Sequence, residues 1–249
     1  MRPLLYETLV RFYHLLDPLE DHADEVAVFG DVFAAAVPGA ASLLELGAGA
    51  GHGAYFLKSR FGSVTLTDLS EPMLERSRSL NPDCEHVQGD MRSLALGRTF
   101  DCVLCHDAVA YMLSEADLRA VFQTAFDHLR PGGAALFVPD CLKESFIESH
   151  EDHAGDDDTL GLRCISWSYD PDPADDTHVY DFAFLLREAG EVRAVHDRHI
   201  CGLFPQETWT RLATAVGFEA EVIARPLPEE YEASAYTDKM FLFRRPESA

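Results

Sequence analysis

One short stretch constrains the fold of this chain more than any other. Ala41-Ser42-Leu43-Leu44-Glu45-Leu46 is an apolar run that reads as a β-strand, and it passes directly into Gly47-Ala48-Gly49-Ala50-Gly51, which opens a helix reaching about Phe61. A strand that turns into a helix through glycines brings backbone N–H groups close to a ligand. Gly47, Gly49 and Gly51 permit conformations and approaches that a Cβ blocks. The loop alone does not name the ligand. A tight turn with no ligand is one reading, and a dinucleotide loop is another, because Gly49, Gly51 and Ala54 satisfy G-x-G-x-x-A.

The elements downstream extend the pattern. Strands are expected at residues 64–67, 86–88, 100–105 and 134–138, with helices at 71–80 and 115–129 between them. The second helix stops at Arg130-Pro131-Gly132-Gly133. Strands alternating with helices argue for a parallel α/β sheet covered on both faces. Upstream, apolar residues at helical spacing predict two helices at 3–17 and 22–37, an N-terminal helical cap. Past residue 140, residues 150–159 are acidic and polar and read as an exposed loop. Three strand-like stretches follow at 162–169, 178–187 and 191–199, a small antiparallel sheet inserted into the α/β plan. A helix at 205–216 and strands at 218–224 and 239–244 close the chain. The division expected is 1–40 for the cap, 41–140 with 205–249 for the core, and 141–204 for the insertion.

With 47% hydrophobic residues there is material for a sizeable core. No run is long enough to span a bilayer, and residues 1–10 lack the continuous apolar segment of a signal peptide, so a soluble, cytoplasmic protein is expected. The formal net charge of -23 disfavours nucleic acid and anionic membranes as partners and leaves a small molecule as the expected one. An exposed edge of the inserted sheet could pair two copies into a homodimer. Cys102 and Cys105 form C-x-x-C, but they sit in an apolar strand with no second pair, which favours packing over zinc.

Three acidic residues separate the ligand readings. Glu45 precedes the loop, where it could engage a cationic amino-acid ligand and would do nothing for a pyrophosphate. Asp68 ends the second strand, where a carboxylate can accept both ribose hydroxyls, a feature shared with nicotinamide enzymes. Gly89-Asp90-Met91 follows the third strand, where one acceptor and one apolar side chain can frame an adenine.

In this order the motifs resemble those of class I S-adenosylmethionine (SAM) methyltransferases. Residues 44–51 resemble the first motif, Asp68-Leu69-Ser70 with Met73-Leu74 the ribose segment, Gly89-Asp90-Met91 the adenine segment, and Leu129-Arg130-Pro131-Gly132-Gly133 the turn before strand five. The resemblance implies a Rossmann-like, seven-stranded sheet whose last strand runs antiparallel, with SAM as cofactor and S-adenosylhomocysteine as product. It implies that Gly47, Ala48, Gly49 and Gly51 line the methionine portion, Asp68, Leu69 and Met73 the ribose side, and Asp90 and Met91 the adenine. Residues after strand four, His106, Asp107 and Tyr111, would face the methyl group. His52 is a departure within the loop. The arrangement is also similar to N,N-dimethyltransferases of nucleotide-linked amino-deoxysugars from antibiotic pathways, which share an N-terminal helix carrying a tyrosine, here Tyr13, and an antiparallel insertion.

The expected reaction is in-line methyl transfer to a small-molecule acceptor, best matched by an amino group of such a sugar. O-methylation of another small metabolite is an alternative. An NAD(P)-dependent reductase and a catalytically silent binding protein of the same fold are rivals; His at position 52 counts against the first. His106 is the first candidate for a base or orienting group, its pKa lying near neutrality. Asp107 could hold acceptor or imidazole. Of His196 and His199, three apart in a strand and so on opposite faces, His199 is favoured. Tyr13 could close the pocket, and Arg163 and Arg198 could hold a phosphate or carboxylate. No metal is expected: His150 and His153 lie among acidic residues without an H-E-x-x-H pattern.

Overall fold

A computed structural model describes residues 3–226 and 237–247. Two sheets organise the chain. The larger contains β1 (Ser42–Leu46), β2 (Ser63–Asp68), β3 (Glu85–Gln88), β4 (Phe100–His106), β5 (Leu129–Val138), β10 (Glu219–Ala224) and β11 (Lys239–Arg244), in the order β10-β11-β5-β4-β1-β2-β3. Its strands β3, β2, β1, β4 and β5 are parallel, and β11 runs antiparallel to both β5 and β10. This is the seven-stranded arrangement that the motifs implied.

Helices cover both faces. On one side α2 (Ala23–Ala36) and α3 (His52–Leu57) bury Phe29, Phe33, Ala54 and Leu57 against Leu43, Leu66 and Leu136. On the other, α5 (Glu115–His128) and α6 (Gln206–Val216) bury Phe122 and Trp209 against Phe137, Phe241 and Phe243. Strand residues alternate between these cores, so Cys102 faces one and Cys105 the other. The C-x-x-C therefore cannot chelate, and both cysteines are free and buried. α4 (Glu71–Leu80) starts on Ser70, whose hydroxyl accepts the Met73 N–H.

Three expectations change. Residues 3–17 do not form one helix. They break into 3₁₀ turns at Leu4–Tyr6 and Val10–Phe12 and a single turn, α1 (Tyr13–Leu16). Backbone groups of this segment are spent on tertiary partners: the Leu5 N–H goes to Asp197, the Tyr6 carbonyl takes the Ser70 hydroxyl, and the Val10 carbonyl takes Arg76. Residues 150–159, expected as a loop, supply most of an edge strand, β6 (Ser149–Asp156), which pairs antiparallel with β7 (Leu160–Tyr169). Its side chains are polar in both directions, so hydrophobic alternation gave no sign of it; main-chain pairing holds it. Arg130-Pro131-Gly132-Gly133 interrupts β5 rather than preceding it: pairing with β4 starts at Phe100↔Leu129, lapses over these four residues, with Gly132 at φ 74°, and resumes at Cys102↔Ala134.

The second sheet is β6-β7-β8-β9, with β8 (Thr177–Glu188) and β9 (Glu191–Gly202) joined at Ala189-Gly190, both at positive φ as a two-residue hairpin requires. Its inner face packs Leu162, Cys164, Phe184 and Leu186 on Leu5, Leu9 and Phe12 of the cap. Cap and inserted sheet thus share one core, placed over the C-terminal ends of β1, β2 and β4.

Candidate active site and family

The glycine loop is fixed by its own strand neighbours. Gly47 and Ala48 donate to the Thr67 carbonyl at 2.8 and 2.9 Å, and Gly49 donates to Asp68 Oδ2 at 2.8 Å. Gly47 and Gly51 sit at φ 73° and 79°. A Cβ at Gly47 would lie 2.2 Å from the Ala108 Cβ, so loop and post-β4 turn meet here with no room for a side chain. Asp68 also accepts the Ser70 N–H at 2.7 Å, and the Leu69 N–H adds a third backbone donor to its carboxylate. Met73 and Met91 pack beside Gly49 and Gly47, whereas Leu69 is substantially exposed. Asp90 is gripped by the Arg92 guanidinium, which also reaches Asp117.

Glu45 is 5% exposed and its Oε2 has no hydrogen-bond partner. Burial raises its pKa to about 7. An orphaned carboxylate beneath a glycine loop is what the α-ammonium of SAM would satisfy, so the residues present fit this cofactor.

At the end of β4 stand His106 and Asp107. Burial works against a charged His106 ring, but Asp107 and Glu25 outweigh it and raise its pKa to about 9. Its Nε2 lies 2.8 Å from Asp107 Oδ1 and 3.2 Å from Glu25 Oε2, close ion pairs in poor alignment for a linear hydrogen bond. Arg225 holds Glu25 from the far side, and Asp140 hydrogen-bonds Asp107. Burial and the Asp107 charge hold Asp140 well above the usual carboxylate range, while burial of Asp107 is outweighed by His106, which keeps it ionised. Asp107 itself sits at φ 51°, a conformation strained for any residue but glycine.

A second group joins cap to inserted sheet. Tyr111, in the 3₁₀ turn Ala108–Tyr111, shares a hydrogen bond of 2.9 Å with the Tyr6 hydroxyl and one of 2.8 Å with His199 Nδ1. His199 Nε2 reaches Asp197 Oδ2 at 3.1 Å. Tyr13 leans on the His52 ring with centroids 5.8 Å apart. His52, the residue that departs from the loop pattern, lies 3.3 Å from Asp17, which in turn holds His22 at 2.9 Å. The ligand atoms of this trio lie within 4.8 Å of one another and tie the cap to the glycine loop.

The structure therefore brings Tyr13, Glu45, Asp68, Met91, His106, Asp107, Tyr111 and His199 to one end of the sheet. It does not bring Arg163 and Arg198 there. Both lie on the outer face of the inserted sheet, exposed and paired with Asp156 and Asp181, as is His196. Tyr6, Asp17, Glu25, Asp140, Asp197 and Arg225 were not read from the sequence; their partners lie up to 200 residues away along the chain, and no spacing announces them.

This fold and loop define a SAM-dependent methyltransferase. A family model described as a methyltransferase domain matches residues 43–133. The chain is 32% identical over 209 residues to the dTDP-3-amino-3,4,6-trideoxy-alpha-D-glucopyranose N,N-dimethyltransferase of Streptomyces venezuelae, covering 82% of this chain and 86% of that one. Among solved structures it is similar to an amino pentose methyltransferase from Micromonospora echinaspora with SAM bound, at 26% identity and a TM-score of 0.76 over 90% of this chain and 91% of that one. It shares its fold with a sugar N-methyltransferase from Streptoalloteichus, at 24% identity and a TM-score of 0.84 over 96% and 93%. The chain belongs to the family of SAM-dependent methyltransferases that holds these sugar N-methyltransferases, and SAM is its methyl donor. No helix among the described residues is long and apolar enough to cross a membrane.

Proposed function

We propose that this enzyme methylates the amino group of a nucleotide-linked amino-deoxysugar, with the cap and the inserted sheet forming the acceptor side of its cleft. The names of three relatives at 32, 30 and 29% identity, all dTDP-amino-sugar N,N-dimethyltransferases, support this reading. One observation in the site carries it. His106, at the end of β4, lies 2.8 Å from Asp107 and 3.2 Å from Glu25, two carboxylates that favour its charged form and raise its pKa to about 9. It cannot take a proton from a sugar hydroxyl, which O-methylation requires; an amine attacks through its own lone pair once neutral. Ionised Asp107, a half-exposed side chain whose Oδ1 faces His106, is a pure acceptor suited to amine N–H groups.

When bound, SAM supplies an electrophilic methyl group on a sulfonium. The chain's own residues contribute position. Glu45 holds the ammonium end of the donor, Asp68 the ribose and the loop N–H groups together, and Ala108 against Gly47 fixes the distance between donor loop and acceptor turn. His106 keeps Asp107 ionised and oriented. Tyr13, packed on His52, closes the donor side. Holding donor and nucleophile in line contributes several kcal/mol, on the order of the 7–11 kcal/mol reached in well-oriented intramolecular reactions.

The test is incubation of the enzyme with labelled SAM and a panel of dTDP-3-amino- and dTDP-4-amino-deoxysugars together with hydroxylated metabolites that lack an amine, read by mass. Stepwise addition of two methyl groups to nitrogen is expected. Labelling only of hydroxylated metabolites that lack an amine would overturn the reading.

A further inference from the structure

Cap and donor loop meet at a cluster whose chemistry the donor contacts leave unused. Asp17 directly follows α1, His22 ends the 3₁₀ turn Leu19–His22, and His52 is the first residue of α3, one step after Gly51. The three side chains converge across the seam. His22 Nε2 lies 2.9 Å from Asp17 Oδ1, and His52 Nδ1 lies 3.3 Å from Asp17 Oδ2. The two imidazoles stand edge to face, 4.9 Å between centroids. One ligand atom from each residue falls within 4.8 Å of the other two. We propose that Asp17, His22 and His52 bind one divalent transition-metal ion of zinc type, and that this ion clasps the cap to the donor loop.

Hydrogen bonding within the protein accounts for His22 but not for His52. The His22 ring can donate to Asp17 along the 2.9 Å contact. His52 is 8% exposed, and its Nδ1, facing the other Asp17 oxygen, makes no hydrogen bond. A buried ring nitrogen without a partner is costly, and a metal ion relieves that cost by taking its lone pair. No spacing motif announces the site, because the third ligand comes from a different element than the first two.

The donor set fits the ion. Two imidazole nitrogens and a carboxylate oxygen form a zinc-type triad that leaves a fourth position for water. Imidazole selects against calcium and magnesium, which take oxygen shells. Tetrahedral zinc, with bonds of about 2.0–2.1 Å, spaces its ligand atoms about 3.3 Å apart, so the three atoms close by no more than about 1.5 Å. The Tyr13 hydroxyl hydrogen-bonds Asp17 and supports that carboxylate from outside the triad. The Asp17 and His22 side chains stay partly open, which gives the ion an entry path. The net charge of -23 draws cations to the chain. Binding displaces the proton that His22 shares with Asp17, and no redox change is involved. Two ligands come from the cap and one from the helix that the glycine loop opens, so an ion held by all three resists parting of the two. Tyr13, packed on His52, is held in place with them. The inference is independent of which acceptor is methylated.

The full chain, stripped with a chelator, is titrated with cobalt(II), whose visible spectrum reports tetrahedral coordination, and zinc is then used to displace it. Wild type, His52→Gln and His22→Gln are compared. His22 is the more open of the two rings, so its variant keeps the test decisive if the buried His52 variant does not fold. Wild type is expected to take up one ion per chain in a tetrahedral site. Loss of either ring should weaken uptake by at least about a hundredfold, beyond what loss of a supporting residue does. Equal cobalt affinity in wild type and His22→Gln overturns the site and marks adventitious binding at surface histidines. Hydrogen exchange over residues 13–23, with and without zinc, reads the clasp. Slower exchange with zinc is expected in wild type and not in His22→Gln. Zinc bound at the triad with exchange of this segment unchanged overturns the clasp.

Discussion

Glu45 points its carboxylate at the one residue of α3 that leaves it room: a Cβ on Gly53 would stand 2.9 Å from Glu45 Oε1. Glu45 is thus a buried acid with one oxygen unpartnered.

Affinity for SAM should depend on pH through this acid. Burial raises Glu45 from 4.5 to about 7, so the folded protein binds more protons than the unfolded chain between those values. Without ligand, this group therefore costs stability as pH rises through that window, and the ligand's ammonium relieves the cost. Binding requires the carboxylate, so affinity should be about tenfold weaker at pH 6 than at pH 8. Titration calorimetry of wild type and Glu45→Gln checks this. The variant should bind weakly with a flat profile, and a wild-type profile equally flat would remove Glu45 from the donor site.

Gly47→Ala should fail for steric reasons that act on both partners. The added Cβ meets Ala108 at 2.2 Å while the backbone is held at φ 73°. Left-handed backbone and overpacking together should cost about 3 kcal/mol by urea denaturation. Gly39→Ala, also at positive φ but with nothing within 4 Å, should cost about 1 kcal/mol and leave SAM binding intact. Equal losses in the two variants would deny the contact its importance.

What was legible in the sequence was local. Glu45, the glycine loop, Asp68 and Met91 follow one another at the ends of successive strands, so order along the chain is order across the site. Chemistry that depends on the crossing of distant segments was not legible. Tyr6 and Tyr111 meet across 105 residues, Leu5 and Asp197 across 192, and Arg225 and Glu25 across 200. The same crossing explains the cap. Its apolar spacing reads as a helix, but Asp197, Ser70 and Arg76 take backbone groups that a helix would have used. β6 was hidden for a different reason, being held by main-chain pairing at an edge with polar side chains on both faces.

The Glu25–Arg225 pair carries the charged side of the site and can be weighed by a double-mutant cycle. Arg225 is 8% exposed and lies against Glu25, which in turn faces His106. Arg225→Met should cost about 3 kcal/mol, because it leaves a carboxylate poorly compensated. Adding Glu25→Gln should restore about 1–2 kcal/mol of that loss. Additive costs in chemical denaturation would show that the two residues act independently.

Asp107 separates stability from function. Its φ of 51° is unfavourable for aspartate and ordinary for glycine, yet the turn it makes presents Ala108 to Gly47 and Tyr111 to Tyr6. Asp107→Gly loses the ion pair with His106 but relieves the strain, so it should be about 1 kcal/mol more stable in chemical unfolding than Asp107→Asn, which loses the pair and keeps the strain. It also removes the larger of the two carboxylate charges that hold His106 protonated, so the imidazole pKa should fall from about 9 towards its ordinary value. NMR titration of the ring reads that shift directly. Turnover should fall with SAM affinity preserved, since Asp107 lies beyond the donor loop. Asp107→Asn should show the same pKa fall and loss of turnover at the lower stability. An Asp107→Gly protein with full turnover would mean that the strained turn serves packing and not the acceptor.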